Sequence, residues 1–189
     1  RVPSREQKRA TWEQTRTDTC ARARRGYPEV AATDGARAAY LKALAVENCQ
    51  TGFQFRAGDA ANFSIGQGDI AVTPLQMVRV YAAIANGGTL WQPQVAAAFR
   101  AQDGSTTPIA PKRVGTVPLR ADVLAYVRAA LGDVTRPGGS AGTAFAGFPQ
   151  SRYPVAGKTG TAERFGRQAT AWFAGYGPTT KPRYAVVVV

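Results

Sequence analysis

Three strand-length segments close this chain, at residues 153–161, 169–176 and 183–189, and they constrain its fold more than anything else in the sequence. Gly166 and Gly177-Pro178 punctuate them, so antiparallel pairing is predicted. Two helices come earlier. Thr73 is a hydroxyl N-cap with Pro74 at the first helical position, and Leu75, Met77, Val78, Tyr81, Ala82 and Ile84 follow before Asn86-Gly87-Gly88 ends the run. Its two apolar rows cover so much of the circumference that burial on most sides, at the centre of a domain, is expected. Leu119, Val123, Leu124, Val127, Ala130 and Leu131 recur at helical spacing and predict a helix over residues 120–133. Helices ahead of a terminal antiparallel sheet make the fold class α+β, with the sheet covered on at least one face.

Between these elements, residues 90–100 read as one or two strands interrupted at Pro93. A turn at Gln102-Asp103-Gly104-Ser105 would fold them into a hairpin with residues 108–116. Residues 135–148 bring Pro137 and four glycines, a loop able to lie against a ligand. Gly66 and Gly68 mark a tight turn in which backbone approaches something closely. At the other end, residues 4–25 are polar and Arg-rich with Trp12 as the one large apolar side chain, which predicts a helix that packs by little. Tyr27-Pro28 stops it, and a second helix is expected over residues 36–47, with Ala39, Leu41, Leu44, Ala45 and Val46 as its apolar face.

The 189 residues suffice for one or two compact units. No unbroken apolar run of about 18 residues occurs, so a membrane span does not fit. The last residues stop inside an apolar run ending on four valines, and no basic and apolar leader opens the chain, so both ends read as cut. A net charge of +12 attracts polyanions without choosing among them. The bases are spread along the chain rather than gathered in a stripe, and no nucleic-acid partner is expected. Cys20 and Cys49 suit neither zinc nor a redox motif, since there is no CxxC and no histidine. They are a disulfide, which would place the chain outside the reducing cytosol, or two unrelated buried thiols.

Taken alone, Lys158-Thr159-Gly160 is a triplet that chance supplies often. Here it sits on a predicted strand, continues into Thr161-Ala162, and is followed on the next strand by Ala171-Trp172-Phe173-Ala174-Gly175-Tyr176. Together with Ile65-Gly66-Gln67-Gly68-Asp69, Val72-Thr73-Pro74-Leu75-Gln76 and Ala83-Ile84-Ala85-Asn86-Gly87-Gly88, it resembles class B, elongation-type penicillin-binding proteins, whose Ser-x-x-Lys, Ser-x-Asn and Lys-Thr-Gly elements line one cleft. The resemblance covers residues 62–189, the C-terminal part of a transpeptidase domain. Residues 1–61 look like a helical insert of the same domain and carry less of the likeness.

The resemblance implies a fragment of a peptidoglycan D,D-transpeptidase with the penicillin-binding protein and serine β-lactamase fold. Its substrate would be a D-Ala-D-Ala stem peptide or a β-lactam. Lys158 would contribute charge and a proton relay, Thr159 and Thr161 hydroxyls for the substrate carboxylate, and the Thr161 N–H one oxyanion donor. Gly160 has a reason of its own, because a side chain there would block a ligand laid along the strand. Trp172, Phe173 and Tyr176 are expected to pack rather than to touch substrate. No cofactor or metal is implied. A membrane glycosyltransferase partner and a place on the outer face of the cytoplasmic membrane, through an anchor outside these residues, also follow from the likeness. The departure is the nucleophile: Ser4, Ser64, Ser105, Ser140 and Ser151 are none of them followed by lysine three residues on, and no Ser-x-Asn occurs. Two alternatives stay open, a β-lactamase or D,D-carboxypeptidase relative and a non-catalytic binding module.

Overall fold

The computed structural model describes residues 4–68, 70–162 and 168–189, so Asp69 and Gly166, singled out above, lie outside the described residues. Two compact units result, residues 1–71 and 72–189. Helix and turn bonds run through Gln67 in the first.

In the first unit α1 (Arg5–Arg25) starts at a capping box: Ser4 Oγ accepts from the Gln7 N–H and Gln7 Oε1 accepts from the Ser4 N–H, both at 3.2 Å. It ends at Gly26, whose φ of +74° a side chain would resist. Pro28 therefore opens α2 (Pro28–Ala31) instead of stopping α1. Asp34 caps α3 (Gly35–Thr51) by accepting from the Arg37 N–H at 2.8 Å. α1 buries no residue, in keeping with its polar sequence. A Cys20–Cys49 disulfide and the Trp12 indole, which donates to Asn48 O at 2.7 Å, join it to α3. α4 (Ala57–Ser64) was not expected from the sequence. It lacks a hydroxyl cap and includes Gly58, and its start is secured by Asp59, which accepts from the Arg56 N–H at 2.9 Å.

The second unit begins with α5 (Pro74–Ala85), where Thr73 and Gln76 exchange side-chain bonds at 2.9 and 3.1 Å. A broken ribbon follows: β1 (Thr89–Trp91) pairs with β4 (Arg113–Thr116), and within them β2 (Ala98–Arg100) pairs with β3 (Thr106–Pro108), both antiparallel. Then come α6 (Ala121–Asp133), β5 (Ala156–Ala162), β6 (Thr170–Gly177) and β7 (Tyr184–Val188). The last three form one antiparallel sheet in that order.

α5 lies on this sheet, and the core is Tyr81 and Ala85 against Ala156, Ala174 and Tyr176, filled in by Met77, Ile84, Leu131 and Val187. The expectation that α5 is buried on most sides is corrected: Leu75 is 57% and Val80 47% exposed. A three-stranded sheet is one layer, and it covers one stripe of a helix rather than its circumference. Among the described residues no helix is long and apolar enough to cross a membrane.

Two glycines set the close packing beside β5. Gly157 faces Gly175 in the β5–β6 register, and the Phe173 ring lies over the pair. A Cβ on Gly157 would come within 2.5 Å of Phe173 Cζ and 2.7 Å of Ala174 O. Gly157→Ala should therefore destabilise by about 1–3 kcal/mol or more, because neither the backbone nor a packed ring yields cheaply. A denaturant midpoint equal to that of the unmodified protein would show that the ring is not held there.

Candidate active site

Among the described residues β5 is an edge strand, since β6 pairs with it on one side only, and an edge can receive an extended ligand. Strand alternation puts Thr159 and Thr161 on one face, with Gly157, and Lys158 on the other, with Ala156. Lys158 is exposed. Its ammonium bends along the strand and donates to Thr159 O at 2.9 Å and to Thr159 Oγ1 at 3.3 Å. Charge and hydroxyl are thus brought together although their side chains leave opposite faces.

Gly160 contrasts with Gly157. A Cβ built on it would meet only Trp172 Cβ, at 3.4 Å, an ordinary contact. Among the described residues the fold itself does not demand glycine at that position. Thr161, directly after, belongs to the same edge strand.

Residues 135–148, read from the sequence as a loop able to lie against a ligand, are a series of turns fastened beside the sheet near both ends. Buried Thr135 donates to Val155 O at 2.7 Å, just before β5. Phe145 packs on Phe173 with ring centroids 5.6 Å apart. Between these anchors Ser140 Oγ lies 3.0 Å from Thr159 Oγ1. Ser140 was missed at the sequence level. The available signal was a hydroxyl placed directly after Gly138-Gly139, of which Gly138 has φ of +85°. Tyr176 is 2% exposed and belongs to the core, and Phe173 is occupied by Gly157, Gly175 and Phe145.

The N-terminal unit contains a cavity of about 390 Å³ lined by Lys8, Thr11, Trp12, Thr15, Asn48 and Asp59. Several of its polar groups are engaged within the unit: Trp12 with Asn48 O, Thr15 with Thr11 O at 3.0 Å, and Lys8 with Asp59 at 3.4 Å. Among the described residues, the buried side-chain atoms without a hydrogen-bond partner, Arg79 Nε and Gln150 Nε2, do not line it. Cys20 and Cys49 likewise serve to join α1 to α3.

A hydroxyl-lined edge strand carrying Lys-Thr-Gly-Thr, backed by a helix on one face and a glycine-rich loop on the other, is a combination that family comparison can test. The penicillin binding protein transpeptidase domain matches residues 38–189. The chain belongs to this family. The match takes in most of α3, including Cys49 but not Cys20. Peptidoglycan D,D-transpeptidase PbpA of Mycolicibacterium smegmatis is 33% identical over 154 residues, 77% of this chain and 29% of the relative. Peptidoglycan D,D-transpeptidase FtsI of Escherichia coli K12 is 33% identical over 137 residues, 69% and 21% of the two chains.

Among solved structures, penicillin binding protein 3 of Mycobacterium tuberculosis aligns with a TM-score of 0.57 at 35% identity, covering 71% of this chain and 32% of that one. Penicillin-binding protein A of the same organism, as its imipenem acyl-enzyme complex, aligns with a TM-score of 0.57 at 25% identity over 70% of this chain and 29% of the other. The α+β fold is accordingly that of a penicillin-binding transpeptidase domain. The chain spans less than one third of the length of each of these relatives.

Proposed function

We propose that this chain supplies the substrate-gripping strand of a serine D,D-transpeptidase that cross-links peptidoglycan stem peptides and is acylated by β-lactams. The observation that carries the proposal is the joining of the Lys158 ammonium to the Thr159 hydroxyl on an edge strand, with Gly160 and Thr161 next along it. An ammonium and hydroxyls are what a D-alanine carboxylate, or the carboxylate of a penicillin, needs as partners. Acyl transfer from D-Ala-D-Ala to an acceptor amine also needs donors for the oxyanion, and we assign the Thr161 N–H to that role from its place one residue past Gly160.

The attacking serine belongs to residues outside these 189, in keeping with the absence of any Ser-x-x-Lys among them. The present residues alone would not acylate. The disulfide supports a location outside the reducing cytosol, at the outer face of the cytoplasmic membrane, where peptidoglycan is assembled and where a glycosyltransferase partner would act.

The test is acylation of the full-length protein by a fluorescent penicillin, together with release of D-alanine from a D-Ala-D-Ala stem peptide when an acceptor amine is present. A long-lived covalent adduct and amine-dependent transfer are expected. Steady turnover of the penicillin would instead make it a β-lactamase relative, and no covalent labelling at all would make it a binding module.

Gly160 provides a narrower check. Gly160→Ala should leave the denaturant midpoint close to that of the unmodified protein, since its Cβ meets only an ordinary contact. Acylation should still slow by roughly 10-fold or more, because the methyl group stands where the ligand lies along the strand. Equal acylation rates would remove the ligand as the reason for this glycine.

A further inference from the structure

We infer that Ser140 is a positioning residue of the carboxylate subsite, acting through Thr159. This rests on the transpeptidase reading above and adds to it a residue from outside the Lys-Thr-Gly strand. A hydroxyl carries one proton and two acceptor sites. The Lys158 ammonium, which can only donate, occupies one acceptor site of Thr159 Oγ1 at 3.3 Å, and Ser140 Oγ lies 3.0 Å from the same atom.

If Ser140 donates to Thr159, both acceptor sites of Thr159 are taken and its own O–H can only point outward as a donor. If Thr159 donates to Ser140, the outward O–H is that of Ser140. In either arrangement the two hydroxyls share one proton between them and present the other, beside a positive charge, to an anion. Without Ser140 the Thr159 O–H has no such constraint and is able to turn toward other acceptors.

Positioning of this kind requires a held backbone, and the loop provides it. The Thr135 bond to Val155 O and the Phe145 contact with Phe173 tie it to β5 and β6 on either side of Ser140. Within it, Gly139 N donates to Arg136 O and Ala141 N to Val134 O, both at 2.9 Å, so the residues flanking Ser140 are bonded in place. Ala141 is 5% exposed while Ser140 itself is exposed at the strand.

The experiment compares acylation of the full-length protein by benzylpenicillin and by its methyl ester, in which the carboxylate charge is removed. Ser140→Ala should lower the second-order rate constant for the acid by roughly 10-fold, the size of one lost charge-assisted hydrogen bond. It should lower the ester rate by a clearly smaller factor, since a neutral ester oxygen accepts a weaker hydrogen bond. Ser140→Thr, which keeps the hydroxyl, should restore most of the rate, and Ser140→Ala added to Thr159→Ala should cost clearly less than Ser140→Ala alone.

An unchanged rate for the acid in Ser140→Ala overturns the inference, and so does an equal loss for acid and ester, which would mean general damage to the loop. If the unmodified protein is not acylated at all, the transpeptidase reading fails and the role of Ser140 with it. Acylation of the unmodified protein with no effect of Ser140→Ala removes only the Ser140 role.

Discussion

Replacing Lys158 by alanine in the full-length protein is expected to slow acylation by a fluorescent penicillin about 10²–10⁴-fold, the range for loss of a group that moves a proton in the transition state. The fold should not notice. Lys158 is exposed and its two hydrogen bonds go to the neighbouring residue, so the unfolding midpoint should stay close to that of the unmodified protein. Lys158→Arg separates the two parts of the role. Arginine keeps the charge but stays protonated at neutral pH and presents a wider, planar fork, so it should recover part of the binding and little of the proton transfer. Labelling of Lys158→Ala at the unmodified rate would end the claim that this lysine acts in the reaction.

The second large effect concerns the N-terminal unit. Cys20 and Cys49 are 29 residues apart, and closing a loop of that length contributes about 3–4 kcal/mol in the chain-entropy account. Apolar burial contributes little to this unit: α1 has no buried residue and α3 buries only Ala38 and Ala45. Cys20→Ser with Cys49→Ser, made together so that no lone thiol remains, should therefore lower protection against hydrogen exchange across α1 and α3 by roughly 10²-fold or more. Reduction of the unmodified protein should have the same effect. Unchanged protection in both cases would show that the helix contacts alone suffice.

The site and the fold were legible to different depths. The ends of α5 could be read because Thr73, Pro74 and Asn86-Gly87 act locally on the backbone, and the structure starts and stops the helix at those signals. The three closing strands were legible for a similar reason, since alternation and turn residues are local. α4 was not, because its N-terminal bond comes from Asp59 reaching back to Arg56 across a segment with a glycine in it. The burial of α5 was misjudged because composition shows how much of a helix could be covered, while the sheet decides how much is.

Lys158, Thr159, Gly160 and Thr161 were visible as a motif, and the sequence alone determined their order along one strand and the family they belong to. Tertiary structure decided what surrounds them. It made β5 an edge, laid Phe173 over Gly157 and Gly175 while leaving Gly160 open, and brought Ser140 within hydrogen-bonding reach of Thr159 from a loop 19 residues earlier. The physical reason is one of range. Capping, alternation and turn preference act over a few residues, whereas the meeting of two hydroxyls depends on two distant anchors, Thr135 on Val155 and Phe145 on Phe173, closing at once.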